Sequence, residues 1–272
     1  RICRRPPSPP GASMNAPVPA GMVRELDGRT DLIVKQSRRG CLQECLGCEA
    51  KTAFRIAPAD APSAAAFYVE EDSNCCLRTC CPAVRPWTTT LSLGDSAGGE
   101  PLVRYDRPVR CPPGGFKCCC YQSVSATDAR TGAPIGAVRE QCYVCVPSLA
   151  VMDHTGSITH VMHQPTCCFG TCVDPCHKSG GGCCKVPFDI YAVRDGRADE
   201  TEPVGRVVKA YGGAWRELSS DADTVALTAP PGTSGEEMAR LLGATLLINE
   251  LYFEGYGAAN ADEGKEGGFS LM

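Results

Sequence analysis

Between Asp31 and Ala229 the chain is divided into short apolar segments, and this division limits the fold more than any other feature. "DLIVKQS", "TAFRIA", "AAFYVEE", "WTTTLSL", "PLVRYDRPV", "QSVSAT", "IGAVREQ", "LAVMD", "ITHVMHQ", "VPFDIYAV", "PVGRVVKAY", "AWRELS" and "DTVALTA" follow at close spacing. Each mixes β-branched or aromatic residues with polar ones, often in alternation, as a strand with one buried face does. Turn chemistry separates them in "LGDSAGGE", "TDARTGAP", "DHTGS" and "VRDGRADETEP". "DHTGS" between two apolar runs predicts a hairpin. A dozen or so closely spaced strands predict an antiparallel sandwich or barrel.

One segment departs from this pattern. "SGEEMARLLGATLLINELYFEGYG" carries Met238, Leu241, Leu242, Thr245, Leu246, Ile248 and Leu251, with Gly243 as its only internal turn residue. Ser234 is placed to cap a helix, Glu236 and Glu237 fall in its first turn, and Gly255 supplies a stop. The uncharged run from Leu241 to Asn249, between Arg240 and Glu250, is far shorter than the roughly 20 residues needed to cross a bilayer. A helix apolar on most faces belongs inside protein. The expectation is a closed, mainly β structure with one buried hydrophobic helix at about 235–254.

The 20 cysteines among 272 residues are the compositional outlier. Many are adjacent, as in "CCLRTCC", "PPGGFKCCCYQ" and "CCFGTCVDPCHKSGGGCC". Disulfides, metal binding and acylation all use thiols. A chain of this length does not need disulfide staples for stability, and no signal peptide is visible in "RICRRPPSPPGASMNAPVPAG", so reduced, cytosolic thiols are expected. The formal net charge of −4 argues against whole-chain affinity for nucleic acid or anionic lipid. Residues 1–26 read as a Pro-rich disordered tail, whose "RRPPSPP" offers a contact for SH3- or WW-type protein partners. Residues 258–272 read as a flexible acidic and Gly-rich tail, leaving 27–257 as the folded unit.

Several of these stretches together resemble the phospholipid scramblase family. "FYVEEDSNCCLRTCCPAVRPWTTTL" is similar to that family's acidic turn, paired cysteines, spacer, paired cysteines and Arg-Pro-aromatic strand. "LVRYDRPVRCPPGGFKCCCYQSVSATDARTGAPIGAVRE" resembles its Arg-Pro strand, cysteine cluster and hairpin ending in Ile-Gly. "GRVVKAYGGAWRELSSDADTVALTAP" resembles its Gly-Lys-rich strand, Trp strand and Asp-Ala-Asp turn, and the final helix matches in position. The resemblance runs from about Asp27 to Gly257. It implies a twelve-stranded barrel closed around a C-terminal helix, as in tubby-like proteins. It also implies calcium-dependent, bidirectional movement of phospholipids between leaflets, and attachment through palmitoylated cysteines to the cytosolic face of a membrane, the plasma membrane first.

Carried over residue by residue, the resemblance assigns calcium to Asp221 and Asp223 of "DADTVALTAPPG", with Gly232 where the family has a further acid. Calcium takes six to eight oxygens, so this pair alone predicts weak binding at most. Lipidation falls to Cys118, Cys119 and Cys120, on a loop whose prolines and glycines keep it irregular. Two acyl chains suffice for stable anchoring, and three sites are present. Zinc is the rival chemistry for Cys75, Cys76, Cys80 and Cys81, and for Cys172, Cys176, His177, Cys183 and Cys184, since structural zinc takes four closely spaced thiolate or imidazole ligands. "DPCHKSGGG" looks like an insertion relative to the family.

Covalent catalysis is not expected. His160 and His163 are predicted on opposite faces of one strand, and no phosphate loop, nucleophile elbow or zinc-protease motif occurs. Arg206, Lys209 and Arg216 are too sparse for a nucleic-acid site. Two readings remain. One is a membrane-attached scramblase. The other is a non-catalytic, membrane-tethered adaptor or structural subunit with cysteine-bound metal.

Overall fold

The computed structural model describes residues 23–39, 51–74, 77, 84–111, 119–143, 146–165, 187–210 and 224–254. The strands are β1 (Asp31–Arg39), β2 (Lys51–Pro58), β3 (Phe67–Asp72), β4 (Trp87–Leu93), β5 (Pro101–Arg107), β6 (Ser123–Asp128) and β7 (Pro134–Glu140). They continue as β8 (Ser148–Asp153), β9 (Ile158–His163), β10 (Phe188–Arg194), β11 (Arg197–Ala198), β12 (Gly205–Ala210) and β13 (Thr224–Thr228). β1 to β9 form a continuous antiparallel meander. β9 then pairs with β10, β10 with β12, β12 with β13, and β13 with β1, closing a twelve-stranded barrel. The two-residue β11 lies outside this ring, paired back onto β10 across a turn in which Asp195 and Gly196 both have positive φ. That is the two-residue turn whose twist suits a hairpin.

Alternation works as the sequence pattern predicts. Along β4, Trp87, Thr89 and Leu91 are buried, while Thr88 and Thr90 between them are half-exposed. Register irregularities at Leu91/Ser92, Ala126/Thr127 and Val151/Met152 add local bending, which helps a sheet to close. The "DHTGS" hairpin forms. Asp153 Oδ1 accepts the amide protons of Thr155 and Ser157 at 2.8 and 3.0 Å, and Gly156 takes φ +84°. "AWRELS" lies outside the described residues.

The helix, α1 (Gly235–Ile248), continues into a wider π turn, Asn249–Glu254. Ser234 Oγ caps it by accepting the Glu237 amide proton, and Glu236 and Glu237 occupy the first turn as expected. Every residue from Met238 to Ile248 is buried, so the helix is the barrel's core rather than a cover over it. Fourteen residues of α-helix span about 21 Å, and strands of six or seven residues span about 20–23 Å, so the two match in length. Gly243 lets the helix approach the wall. A Cβ there would lie 3.0 Å from the Tyr105 ring, whose hydroxyl donates to the Ala239 carbonyl at 2.8 Å.

Among the described residues, the core includes part of the stretch that composition assigns to the N-terminal tail. Val23, just before the short turn Arg24–Leu26, and Leu26, its last residue, are 1% and 0% exposed and belong to the core. Asp27 Oδ1 accepts the Gly235 amide proton, tying this entry segment to the start of α1. Two apolar residues in a basic and Pro-rich context carry too little pattern to mark the boundary from sequence.

Strand alternation gives the barrel two distinct ends. β1, β3, β5, β7, β9 and β12 finish at one end, here the upper, and β2, β4, β6, β8, β10 and β13 start there. α1 begins at the lower end and finishes at the upper.

Candidate functional site

Six connections join strand ends at the upper end: residues 40–50, 73–86, 108–122, 141–147, 164–187 and 211–223. The first five contain 3, 4, 4, 2 and 6 cysteines, which is 19 of the 20 in the chain. Every candidate ligand and lipidation residue lies in one of these connections. Cys75, Cys76, Cys80 and Cys81 join β3 to β4; Cys118, Cys119 and Cys120 join β5 to β6. Cys172, Cys176, His177, Cys183 and Cys184 join β9 to β10, and Asp221 and Asp223 join β12 to β13. Connections tens of residues apart in sequence thus join strands at the same end. All of them except Cys119 and Cys120 lie outside the described residues.

Cys119 is exposed and Cys120 half-buried. Cys120 takes φ +60°, a conformation uncommon for a residue with a side chain. Its Sγ accepts the backbone proton of Cys111 at 3.0 Å. The Cys111 carbonyl in turn accepts from Gln122 Nε2.

Gln122 links this loop to a buried charge network at the end of the helix. Its Oε1 accepts from Arg107 Nη2 at 2.8 Å and from Nε at 3.2 Å. Arg107, with no exposed side-chain surface, donates from Nη1 to Glu250 Oε1 at 2.8 Å and to the Arg85 carbonyl at 2.9 Å. Arg85 lies 3.6 Å from Glu250 and is held by Glu71, with contacts of 3.1 and 3.2 Å to its two oxygens. The Trp87 indole N–H donates to the other Glu250 oxygen. Burial pushes the Glu250 carboxyl above its ordinary range, against the pull of Arg107, Arg85 and the indole. Burial also lowers Arg107, while Glu250 pulls it back up. The upper end of the helix is therefore fixed to β3, β4 and β5 by ions that depend on one another.

Sequence reading took Glu250 only as the charge bounding an apolar run. The missed signal is a repeat. Arg85-Pro86 precedes β4 and Arg107-Pro108 ends β5, on strands where Trp87 pairs with Arg107.

Outside the same strands lies an open groove of about 600 Å³, bounded by Leu77, Pro86 and Pro108 and floored partly by Trp87 and Arg107. A cross-strand row of oxygen-bearing side chains, Asp72, Thr88, Asp106 and Ser125, runs along it. Asp106 accepts from Thr88 at 2.6 Å and is clasped by Arg104, with two contacts of 2.9 Å. Partial burial works to raise its pKa, but the bonds from Arg104 and Thr88 carry it below the ordinary carboxylate range.

The two strand histidines do face opposite ways. His160 points inward, with Nε2 3.1 Å from Glu237 on the helix, and His163 stacks outside on Tyr191 with centroids 4.6 Å apart. Gly232 lies in a lower-end turn at φ +77°. The five residues of β13 separate it from the upper-end connection, about 17 Å along a strand. Among the described residues no helix is long and apolar enough to cross a membrane, and no group of three or more metal-ligating side chains converges.

The Scramblase family model matches residues 11–255 of this chain. The chain is 29% identical over 188 residues to phospholipid scramblase 1 of Mus musculus, covering 69% of this chain and 51% of that protein. It is 28% identical over 192 residues to phospholipid scramblase 2 of Homo sapiens, covering 69% and 56%. Against phospholipid scramblase family member 5 of Homo sapiens it is 23% identical over 240 residues, covering 87% and 78%. The chain thus spans about half the length of the mouse protein. No solved structure matches it.

Proposed function

This chain belongs to the Scramblase family, and from that premise we propose that it moves phospholipids in both directions between the leaflets of a membrane. The observation that carries this reading is the family match over residues 11–255, on a chain whose described strands close a twelve-stranded barrel. The membrane is the substrate-bearing partner. The cytosolic face, with the plasma membrane first, is the proposed location. Cys118, Cys119 and Cys120 serve as acylation sites, and the exposure of Cys119 favours this role. Asp221 and Asp223 supply carboxylates to a weakly held Ca²⁺.

The geometry restricts the route. The interior is filled by α1, so no lipid headgroup passes through a barrel in this state. Withdrawing the helix exposes its apolar surface at about 1.5–3 kcal/mol per large side chain, and it also strips Arg107 of Glu250. Flipping therefore proceeds at the outer surface of an intact barrel that perturbs the adjacent bilayer.

The test is reconstitution into vesicles containing fluorescent phospholipid, with a membrane-impermeant quencher added outside. Loss of more than half of the signal, faster with Ca²⁺ and slower in D221N/D223N, is expected. Quenching that stops at the outer leaflet with and without Ca²⁺ refutes the reading.

One observation favours the adaptor reading. Nineteen of the 20 cysteines belong to connections that join strands at one end of the barrel, and the Cys111 amide N–H donates to the Cys120 sulfur. In that reading Zn²⁺ is bound among the upper-end cysteines, and the Pro-rich segment recruits protein. Intact mass of protein from eukaryotic cells separates the two. Hydroxylamine-labile mass marks acylation, and mass lost only on denaturation marks a metal.

A further inference from the structure

The antiparallel pair β5–β6 keeps one register from Val103 opposite Asp128 to Asp106 opposite Ser125. Carried on past the two strand ends, that register sets Cys111 opposite Cys120. The contact found there agrees with it, since the Cys111 amide N–H donates to the Cys120 sulfur at 3.0 Å. The amide nitrogen is one bond, about 1.5 Å, from its own Cα, so the sulfur stands about 4 Å from the Cys111 Cα. Directly opposed residues of an antiparallel pair have Cα atoms about 4.5–5.5 Å apart, inside the range of about 4.4–6.8 Å that a disulfide bridges.

Cys111 is exposed and Cys120 half-buried. One thiol is therefore open to a dissolved oxidant, and the other is held at the backbone of the first. Contacts lead inward from the pair. The Cys111 carbonyl accepts from Gln122 Nε2. Gln122 is fully buried, and its own amide donates to Glu140 at 2.9 Å. Its Oε1 accepts from Arg107, which donates to Glu250 at the end of α1. Whatever fixes the Cys111 backbone thus fixes the first member of a chain that ends on the helix.

We propose that Cys111 and Cys120 are a redox pair, closed to a disulfide by a small disulfide of the glutathione type and reopened by the corresponding thiol. The exposed Cys111, as thiolate, attacks one sulfur of the glutathione disulfide, whose S–S bond breaks and releases one glutathione thiolate. The Cys120 thiolate then attacks the Cys111 sulfur of this mixed disulfide and expels the second glutathione. Two electrons pass from the pair to glutathione, and the two protons lost by the cysteines are taken up by the two leaving thiolates. Rotation of the Cys111 side chain about its Cα–Cβ bond brings the sulfurs together without moving β5 or β6. The bond holds the Cys111 carbonyl against Gln122 and so tightens the Arg107–Glu250 contact. This inference does not rest on the lipid-movement reading. A sulfur in this bond is not acylated, and Cys118 and Cys119 still supply the two chains that stable anchoring takes.

The test uses the full chain expressed in bacteria, which leaves its thiols unacylated, equilibrated in glutathione buffers of increasing oxidised fraction. Acid quenching, alkylation of the remaining thiols and trypsin follow. Cleavage after Arg110, Lys117 and Arg130 places Cys111 in "CPPGGFK" and Cys120 in "CCCYQSVSATDAR", so the bond appears as a linked pair of peptides, and fragmentation locates it among the three cysteines of the second. A link from Cys111 to Cys120 that dithiothreitol removes is expected. Closing so short a loop should raise Tm by about 5–10 °C over the reduced protein, a gain absent from C120S treated alike. Trp87, whose indole donates to Glu250, reads the far end of the chain of contacts. With Trp215→Phe removing the other tryptophan, its emission should shift on oxidation and stay constant when C120S is added. Absence of the Cys111–Cys120 link, or links from Cys111 spread equally over Cys118, Cys119 and Cys120, overturns the proposal. So does a link that leaves both Tm and the Trp87 emission at their C120S values.

Discussion

Replacing Glu250 tests whether the helix end is held by charge or by packing alone. Arg107 has no exposed side-chain surface, and Glu250 is the carboxylate that faces it at 2.8 Å. Glu250→Ala removes the carboxylate in contact with this buried guanidinium and leaves the neutral oxygens of Gln122 and Arg85 beside it, while Arg85 retains Glu71. Breaking a buried pair from one side costs about 3–5 kcal/mol. For a domain of this size each kcal/mol lowers Tm by about 2–4 °C, so a fall of about 6–20 °C is expected. Urea unfolding followed by tryptophan emission measures the loss, and Trp87, bonded to Glu250, reports it locally. A double-mutant cycle completes the test. E250A/R107M removes both charges and should recover a large part of the loss, because burial opposes the ionised form of both partners. A loss below about 1 kcal/mol for E250A, or full additivity in the cycle, would refute the account of the helix end as a charge-locked terminus.

Stability should also fall on acidification through His160. Burial lowers its folded pKa, with Glu237 pulling upward and Arg240 downward. The unfolded chain therefore binds more protons between the lowered value and about 6.5, so His160's contribution is complete above about pH 6.5 and is lost as pH falls through that window. Tm measured from pH 7.5 to 5 should show a decline that His160→Gln flattens. Gly243→Leu should cost about 3 kcal/mol or more, because even a Cβ meets the Tyr105 ring at 3.0 Å; an unchanged unfolding midpoint would contradict that packing. C118S/C119S/C120S should abolish hydroxylamine-labile mass and move the protein from membrane to soluble fractions.

Twelve strands, the 235–254 helix with its Ser234 cap, and the "DHTGS" turn were legible in the sequence because each is written locally. Period-two alternation marks a half-buried strand whatever its partner, and a capped run apolar on most faces marks a buried helix. The opposite orientation of His160 and His163 follows from the same parity. The order of the residue motifs also points to the family without the fold. Three things depended on tertiary structure. The place of Val23 in the core is decided by space beside Gly235, where a Cβ would strike the Val23 carbonyl. The Glu71–Arg85–Arg107–Glu250 network joins residues up to 143 positions apart in a single hydrogen bond, and no local pattern encodes such a contact. The connections that carry most of the cysteines belong to one end only because twelve antiparallel strands close in register. Sequence sets which side of each strand is apolar, since that is a property of neighbouring residues. Which loops become neighbours depends on strand direction and closure, which exist only once the whole chain has paired.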